Sequence, residues 1–278
     1  MVDYYRPGSI LSLQLTTHIT SATVMDLFTP FTMSQVLLVR LHEGPFRIVK
    51  VYDPRFFNYR QASKNWPAHP WSYELEVKAI SQTTPDPNFD SNSTPDDDDS
   101  VGWEIWFYQQ MEHGFRNEVE VYKRLHSLQG HKIPHCYGSG VLILPNRAFF
   151  PHIVLLQFIP DAVNLRHITV KPNQSLITSL IETASSFGAL GVTHNDLNPG
   201  NILFTPHTAP THAFIIDFGH AYVREEESDE EWDEIVKENR DVGTISRVLA
   251  VWLAKISSES KVSRFGDAVF FPGTITPN

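Results

Sequence analysis

The segment at residues 191–219 constrains the fold of this chain more than any other stretch. It begins with G-V-T-H-N-D-L-N-P-G-N, continues through two short apolar runs and ends in D-F-G. The apolar runs predict strands at residues 201–204 and 213–216, joined by a turn that contains proline and histidine. Such a hairpin brings Asn201 close to Asp217, so the fold must hold an amide beside a carboxylate.

Three side chains of this segment have the chemistry that phosphoryl transfer from ATP requires. That reaction needs one carboxylate beside the attacking hydroxyl, together with an amide and a second carboxylate that hold Mg²⁺ over the phosphates. Asp196, Asn201 and Asp217 are of these types and occur in this order. A tight turn at residues 199–200 lets the loop reverse, so we expect Asp196 and Asn201 to face the same cleft.

The spacing of these residues resembles that of the protein-kinase-like superfamily. Asp196 and Asn201 are placed as in the H-R-D-L-x-x-x-N loop, and Asp217 opens a D-F-G. The run H-N-D-L-N-P-G-N is similar to the loops of aminoglycoside and choline phosphotransferases, of atypical kinases and of fungal kinase-like domains. The resemblance covers roughly residues 37–253. It implies an α+β, bilobal fold with a small antiparallel-sheet N-lobe at residues 1–160 and a reduced, mainly helical C-lobe at residues 161–278.

A candidate ion pair precedes this segment in the chain. Residues 35–41 and 46–52 predict two strands of a hairpin, and Lys50 lies in the second strand within I-V-K-V, similar to the V-A-I-K strand of the family. The resemblance implies that Lys50 binds the α- and β-phosphates and pairs with Glu118, on a helix predicted over residues 103–128, with Glu120 as the fallback. The alternatives are a lysine that faces water and a surface carboxylate.

A further apolar strand is predicted at residues 152–159. By resemblance it leads to the hinge, where adenine would meet the Gln157 carbonyl and the Ile159 amide, with Leu156 at the back of the pocket. The alternative is a core strand without a ligand.

Several features depart from the family pattern. Gly8 is the only glycine before Gly44, so the glycine-rich phosphate loop is missing. Asn198 stands where serine/threonine kinases usually carry lysine, and no A-P-E motif follows the D-F-G. These departures weaken a peptide-substrate interpretation and leave a small-molecule or atypical protein acceptor open. Asp241 resembles the helix aspartate that binds the catalytic-loop backbone, with a plain surface aspartate as the alternative.

The remaining segments are predicted from local pattern. Residues 53–102 form an insertion, with a short helix at residues 71–80 and a stretch at residues 81–102 that is too polar to order itself. Apolar periodicity predicts helices over residues 173–190 and 233–256. The run G-S-G at residues 138–140 is predicted to be a turn.

Composition limits the partners. The net charge is −10 and no run of Lys or Arg occurs, which argues against nucleic acid or a membrane as a partner. The first ten residues lack a basic start followed by an apolar run, so we expect an intracellular, cytoplasmic protein. The sequence therefore predicts a phosphotransferase that uses ATP and Mg²⁺ with an unidentified protein or small-molecule acceptor. The alternative is a pseudokinase that acts as a binding or scaffold domain.

Overall fold

Six antiparallel strands and five helices organise the part of the chain that the structure describes. The computed structural model describes residues 5–29, 33–42, 44–62, 64, 67–83 and 89–266, the last ten of these by backbone alone. The six strands are β1 (Ile10–Leu15), β2 (Ile19–Phe28), β3 (Gln35–Leu41), β4 (Phe46–Tyr52), β5 (Cys136–Ile143) and β6 (His152–Gln157). They follow the order β1-β2-β3-β4-β6-β5 and close into a barrel.

The barrel closes through pairing of β1 with β5, from Ser12 opposite Ile143 to Leu15 opposite Gly140. Its interior is built by residues that alternate along the strands, because successive strand side chains point to opposite faces. The principal members of this buried cluster are Leu11, Leu13, Val24, Leu37, Val39, Val49, Val51, Leu142, Ile153 and Leu155.

Barrel closure corrects the expectation of a small antiparallel sheet: the sheet is antiparallel, but it is closed. The predicted turn at residues 138–140 is also wrong, since all three residues lie within β5. Glycine is needed there for space, because a Cβ on Gly140 would lie 2.0 Å from the Gln14 carbonyl oxygen of β1.

Two helices lie between β4 and β5, α1 (Tyr73–Gln82) and α2 (Ser100–Arg124). They extend into both ends of the stretch that was predicted to be disordered, of which residues 84–88 lie outside the described residues. Asp99 caps α2 by accepting a hydrogen bond from Gly102 N at 2.8 Å. Trp103 Nε1 donates to the Asp96 carbonyl at 3.1 Å. The polar composition of residues 81–102 gave no indication of these local contacts.

The second half of the chain combines short strands with helices. Its elements are β7 (Val163–Asn164), α3 (Gln174–Ala189), β8 (Val192–Thr193), β9 (Ile202–Thr205), β10 (His212–Ile215), β11 (Tyr222–Val223), α4 (Asp229–Asn239) and α5 (Asp241–Gly266). Strands β10, β9 and β7 form one sheet, and β11 pairs with β8. The single helix predicted over residues 233–256 is therefore two helices, separated at Arg240, which has a φ of 54°.

A second buried cluster joins α2 and α3 to the β9–β10 hairpin and α5. It includes Trp103, Phe107, Tyr122, Phe187, Phe204, Phe218, Ile245 and Leu249. Because this cluster contains the phenylalanine of the D-F-G, the hairpin that carries Asp217 is anchored in apolar packing. Among the helices of the described residues, none combines the length and apolar character that crossing a membrane requires.

Candidate functional site

Lys50 lies between two carboxylates that are distant in the sequence. Its ammonium forms ion pairs with Glu118 Oε2 on α2 and with Asp217 Oδ1, the latter at 2.6 Å. Lys50 is 4% exposed and Glu118 is fully buried, whereas 41% of the Asp217 side chain is exposed. Glu120, the fallback partner, instead pairs with Lys123 and Arg124 on the outer face of α2.

The charges in this triad shift the pKa of each member. Burial would lower the pKa of Lys50, but Asp217 and Glu118 outweigh burial and raise it. Partial burial would raise the pKa of Asp217, but attraction by Lys50 holds it below its usual value. Burial raises the pKa of Glu118 in spite of Lys50. Lys50 and Asp217 therefore form a charged pair near neutral pH.

Tyr52 is a member of this cluster that the sequence interpretation missed. Its hydroxyl donates to Glu118 Oε2, the same oxygen that binds Lys50. Tyr52 lies two positions after Lys50 in β4, and side chains two apart in a strand share a face. The strand period was therefore a signal that could have identified it.

Asp196 is held by two amides. Asn201 Nδ2 lies 3.0 Å from Asp196 Oδ2 and 2.9 Å from the Asp196 carbonyl. Asn198 Nδ2 lies 3.0 Å from the other carboxylate oxygen, Oδ1. Because both carboxylate oxygens accept hydrogen bonds from amide groups, the Asp196 side chain is fixed in one orientation within the loop.

The first residue of α5, Asp241, holds the backbone of the loop that carries Asp196. Asp241 accepts hydrogen bonds from His194 N at 2.6 Å and from Asn195 N at 3.3 Å. This confirms the interpretation of Asp241 as a loop-binding carboxylate rather than a plain surface residue. Asn195 adopts a φ of 60°, a conformation that non-glycine residues need such contacts to maintain.

His194 links the loop to the strand that precedes the D-F-G. Its Nε2 lies 3.1 Å from the Ile216 carbonyl and its Nδ1 lies 3.3 Å from Asp196 N. A carbonyl only accepts and a backbone N–H only donates, so these contacts require the neutral ring protonated on Nε2. Burial lowers the pKa of His194 in spite of the nearby Asp241 carboxylate, which favours that neutral form. His194 therefore supports the loop.

Asn201 and Asp217 have the chemistry of a magnesium site. The β9–β10 register pairs Ile202 with Ile215, and Ile216 N donates to the Asn201 carbonyl at 3.0 Å. Asn201 and Asp217 therefore lie beside adjacent strands of the hairpin. Asn201 uses Nδ2 for Asp196, which leaves its amide oxygen for another partner. Amide and carboxylate oxygens suit Mg²⁺, which is usually bound by few protein groups together with phosphates and water. These residues therefore fit such an ion.

The three residues that were predicted to form a hinge, Leu156, Gln157 and Ile159, lie at or near the end of β6. Leu156 and Ile159 are buried, and Gln157 pairs with Arg47 across β4. Gln157 N donates to the His135 carbonyl at 2.8 Å, and Gln157 Oε1 accepts from His135 N at 3.0 Å. Contact of these residues with adenine stays a prediction.

Met33 lies between β2 and β3 and is close to the D-F-G. Residues 30–32, which precede it, lie outside the described residues. Met33 lies so close to α2 that a Cβ on Gly114 would be 2.8 Å from its sulfur. A Cβ on Gly219 would lie 3.5 Å from the same sulfur. The Met33 thioether therefore lies beside the glycine of the D-F-G. Nothing in the sequence identified Met33, since only the fold brings it here.

No protein-family model matches the chain, and no curated protein matches it. Two kinases are among the solved structures to which it is similar. One is the Rio2 kinase of Chaetomium thermophilum in a complex with ADP, Mg²⁺ and phosphoaspartate, with 18% identity over 90% of this chain and 59% of that chain and a TM-score of 0.42. The other is the PknI kinase domain of Mycobacterium tuberculosis, with 14% identity over 77% of this chain and 66% of that chain and a TM-score of 0.39. The alignments span less than two thirds of either structure, and both similarities are remote.

Proposed function

We propose that the chain is an intracellular, ATP-dependent phosphotransferase of the protein-kinase-like type. It would transfer the γ-phosphate to a hydroxyl of a protein or small molecule. The observation that carries the proposal is the ion pairing of Lys50 with both Glu118 and Asp217, which unites three motifs from distant parts of the sequence. In this proposal residues 1–160 act as the N-lobe and residues 161–278 as the C-lobe.

Lys50 would neutralise the α- and β-phosphates of the nucleotide. Glu118 holds the ammonium in place, and Tyr52 restrains Glu118 through a hydrogen bond to the same oxygen. A buried ammonium that is already oriented loses little on binding the phosphates, because its ordering is part of the folded state. Adenine would lie against Leu156, between the Gln157 carbonyl and the Ile159 amide.

Asp196 would orient the acceptor hydroxyl and accept its proton. The amides of Asn198 and Asn201 fix its carboxylate, so the proton acceptor is placed before the substrate arrives. Asn201 and Asp217 would hold Mg²⁺. When bound, Mg²⁺ would supply charge neutralisation at the phosphate oxygens.

Calorimetric titration with ATP, with and without Mg²⁺, tests the nucleotide site. Asp217→Asn should weaken Mg²⁺-dependent binding on the order of 10–100-fold, because it removes the carboxylate ligand while preserving its shape. Asp196→Ala should leave binding nearly unchanged and abolish transfer. Lys123→Met, which changes a side chain that is 67% exposed on the outer face of α2, is the control. Absence of nucleotide binding in the wild-type protein would refute the proposal.

A second candidate function is a pseudokinase that acts as a binding or scaffold domain. The Met33 sulfur lies against Gly114 and Gly219, where a phosphotransferase needs room for phosphates. This favours a cleft that is filled by the protein itself. Unchanged turnover in Asp196→Ala would refute the mechanism above, and nucleotide binding without any transfer would support the pseudokinase.

A further inference from the structure

Arg166 is connected to Asp196 through a single amide. Its Nη2 donates to Asn198 Oδ1 at 3.0 Å, and Asn198 Nδ2 donates to Asp196 Oδ1 at 3.0 Å. A second donor, Gly200 N, lies 2.8 Å from the same Asn198 oxygen. The contacts form a chain from guanidinium to amide to carboxylate.

The two donors determine which way the Asn198 amide faces. A guanidinium and a backbone N–H can only donate, so the oxygen of Asn198 must face them and its nitrogen must face Asp196. If the amide were rotated by 180°, its oxygen would lie against the Asp196 carboxylate, and both donors would lose their acceptor. Arg166 thereby favours the orientation in which Asn198 donates to Asp196.

The backbone places Arg166 for this contact. Leu165 N donates to the Ile202 carbonyl at 2.9 Å, which ties the preceding residue to the start of β9. Asn164 Oδ1 accepts from Arg166 N at 3.1 Å. Among the described residues, no acidic side chain forms an ion pair with Arg166. Its guanidinium hydrogen-bonds the catalytic-loop amide instead of a carboxylate.

We propose that Arg166 is a positioning residue for the transfer step, which acts on Asp196 through Asn198. The inference rests on the proposed function, because it gives Arg166 a role only if Asp196 orients the acceptor.

The test compares binding of MgADP with binding of MgADP plus aluminium fluoride, a mimic of the transferred phosphoryl group that needs no known acceptor. Arg166→Met should leave MgADP affinity unchanged and weaken the aluminium fluoride complex about tenfold, the scale of one hydrogen bond to an oriented group. Asn198→Leu should cause a similar loss. Because Arg166 acts through Asn198, the double variant should lose no more than Asn198→Leu alone.

Two further variants separate positioning from general damage. Arg166→Lys retains a cationic donor and should recover most of the loss. Gly200→Ala retains the guanidinium, but its Cβ would lie 3.2 Å from Arg166 Nη2 and 3.0 Å from Asn198 Oδ1, so it should reproduce the loss of Arg166→Met. Lys123→Met removes an equal charge from an exposed side chain that pairs with Glu120 on α2, and it should have no effect.

The outcomes are distinguishable. Equal aluminium fluoride binding by the wild type and Arg166→Met, or losses that multiply in the double variant, would overturn the inference while MgADP binding still supported the nucleotide site. A wild-type protein that binds neither MgADP nor the complex would overturn the proposed function, and the inference with it.

Discussion

Lys50 Nζ lies 2.6 Å from Asp217 Oδ1, although the two residues are 167 positions apart. This contact joins the barrel to the β9–β10 hairpin. It occupies one of the two carboxylate oxygens of Asp217, the residue that would bind the proposed metal. If Mg²⁺ is bound as proposed, it would share this carboxylate with Lys50.

Lys50→Met should destabilise the protein strongly at neutral pH. The substitution leaves the fully buried carboxylate of Glu118 without its cation, and breaking a buried pair in this way costs about 3–5 kcal/mol in free energy of unfolding. Since burial already raises the pKa of Glu118, the loss should shrink as the pH falls from 7 to 5 and the carboxyl takes up a proton. Urea denaturation at both pH values measures this. An equal loss at both would contradict the explanation.

Asp53 should contribute stability that disappears in acid. Burial alone would raise the pKa of Asp53, but Arg147 and Arg55 outweigh it and hold the pKa below 3.8. A lowered folded-state pKa stabilises the fold above the unfolded value, so this contribution is complete near pH 6 and is lost as the pH falls below about 4. Asp53→Asn should cost about 3–5 kcal/mol at pH 7, because the Arg147 side chain, which is fully buried, loses one of its two carboxylate partners and keeps only Glu76. Urea titrations from pH 6 to 3 should show the two proteins converging, and parallel curves would refute the assignment.

Asp241→Ala should loosen the catalytic loop. It removes the acceptor of His194 N, which is buried, and that of Asn195 N, which is partly buried. A buried donor left unpaired costs about 1–3 kcal/mol. Amide hydrogen exchange at residues 192–196 should accelerate, and turnover should fall at least about tenfold, since Asp196 follows these amides directly. Glu230→Gln, an exposed change on α4, is the control. Unchanged exchange at His194 would show that α5 does not hold the loop.

Gly140→Ala should weaken the barrel at its point of closure. The added Cβ would lie 2.0 Å from the Gln14 carbonyl oxygen, so β1 and β5 must separate, and we expect a loss of about 1–3 kcal/mol. Gly243→Ala is a matched control with the opposite sign. Gly243 is exposed in α5, and an added Cβ would meet only Arg240 Cβ at 3.9 Å, so alanine should stabilise the helix by about 0.5–1 kcal/mol. Guanidinium unfolding midpoints measure both, and an increase for Gly140→Ala would be contrary to the steric argument.

Local pattern was enough to place much of the site. The predicted strands at residues 35–41 and 46–52 coincide with β3 and β4. Apolar alternation indicates the two strands, and the Gly44-Pro45 turn marks where one ends and the next begins. The resemblance selected Glu118, with Glu120 as the fallback, and helical spacing puts the two on opposite sides of α2. Glu118 is fully buried against Lys50, and Glu120 forms ion pairs on the surface.

Other features leave no local trace. The pairing of β1 with β5 joins residues 12–15 to residues 140–143, and only three-dimensional proximity specifies it. The break at Arg240 lacks the glycine that usually marks a helix end, so apolar periodicity suggested one continuous helix. Arg166 lies outside every recognised motif, and its link to Asp196 depends on a side chain 32 positions away.

Closure of the six-stranded barrel also determines how this half of the molecule can meet other proteins. An open sheet exposes unpaired backbone N–H and C=O groups on its outermost strands, and those groups recruit extended segments of other chains. Here the β1–β5 ladder uses those groups internally. Within the described barrel, a partner therefore has no outer strand to extend by β-augmentation. Recognition at this face falls to side chains and connecting loops, and the same closure protects the strands from aggregation through strand-to-strand pairing.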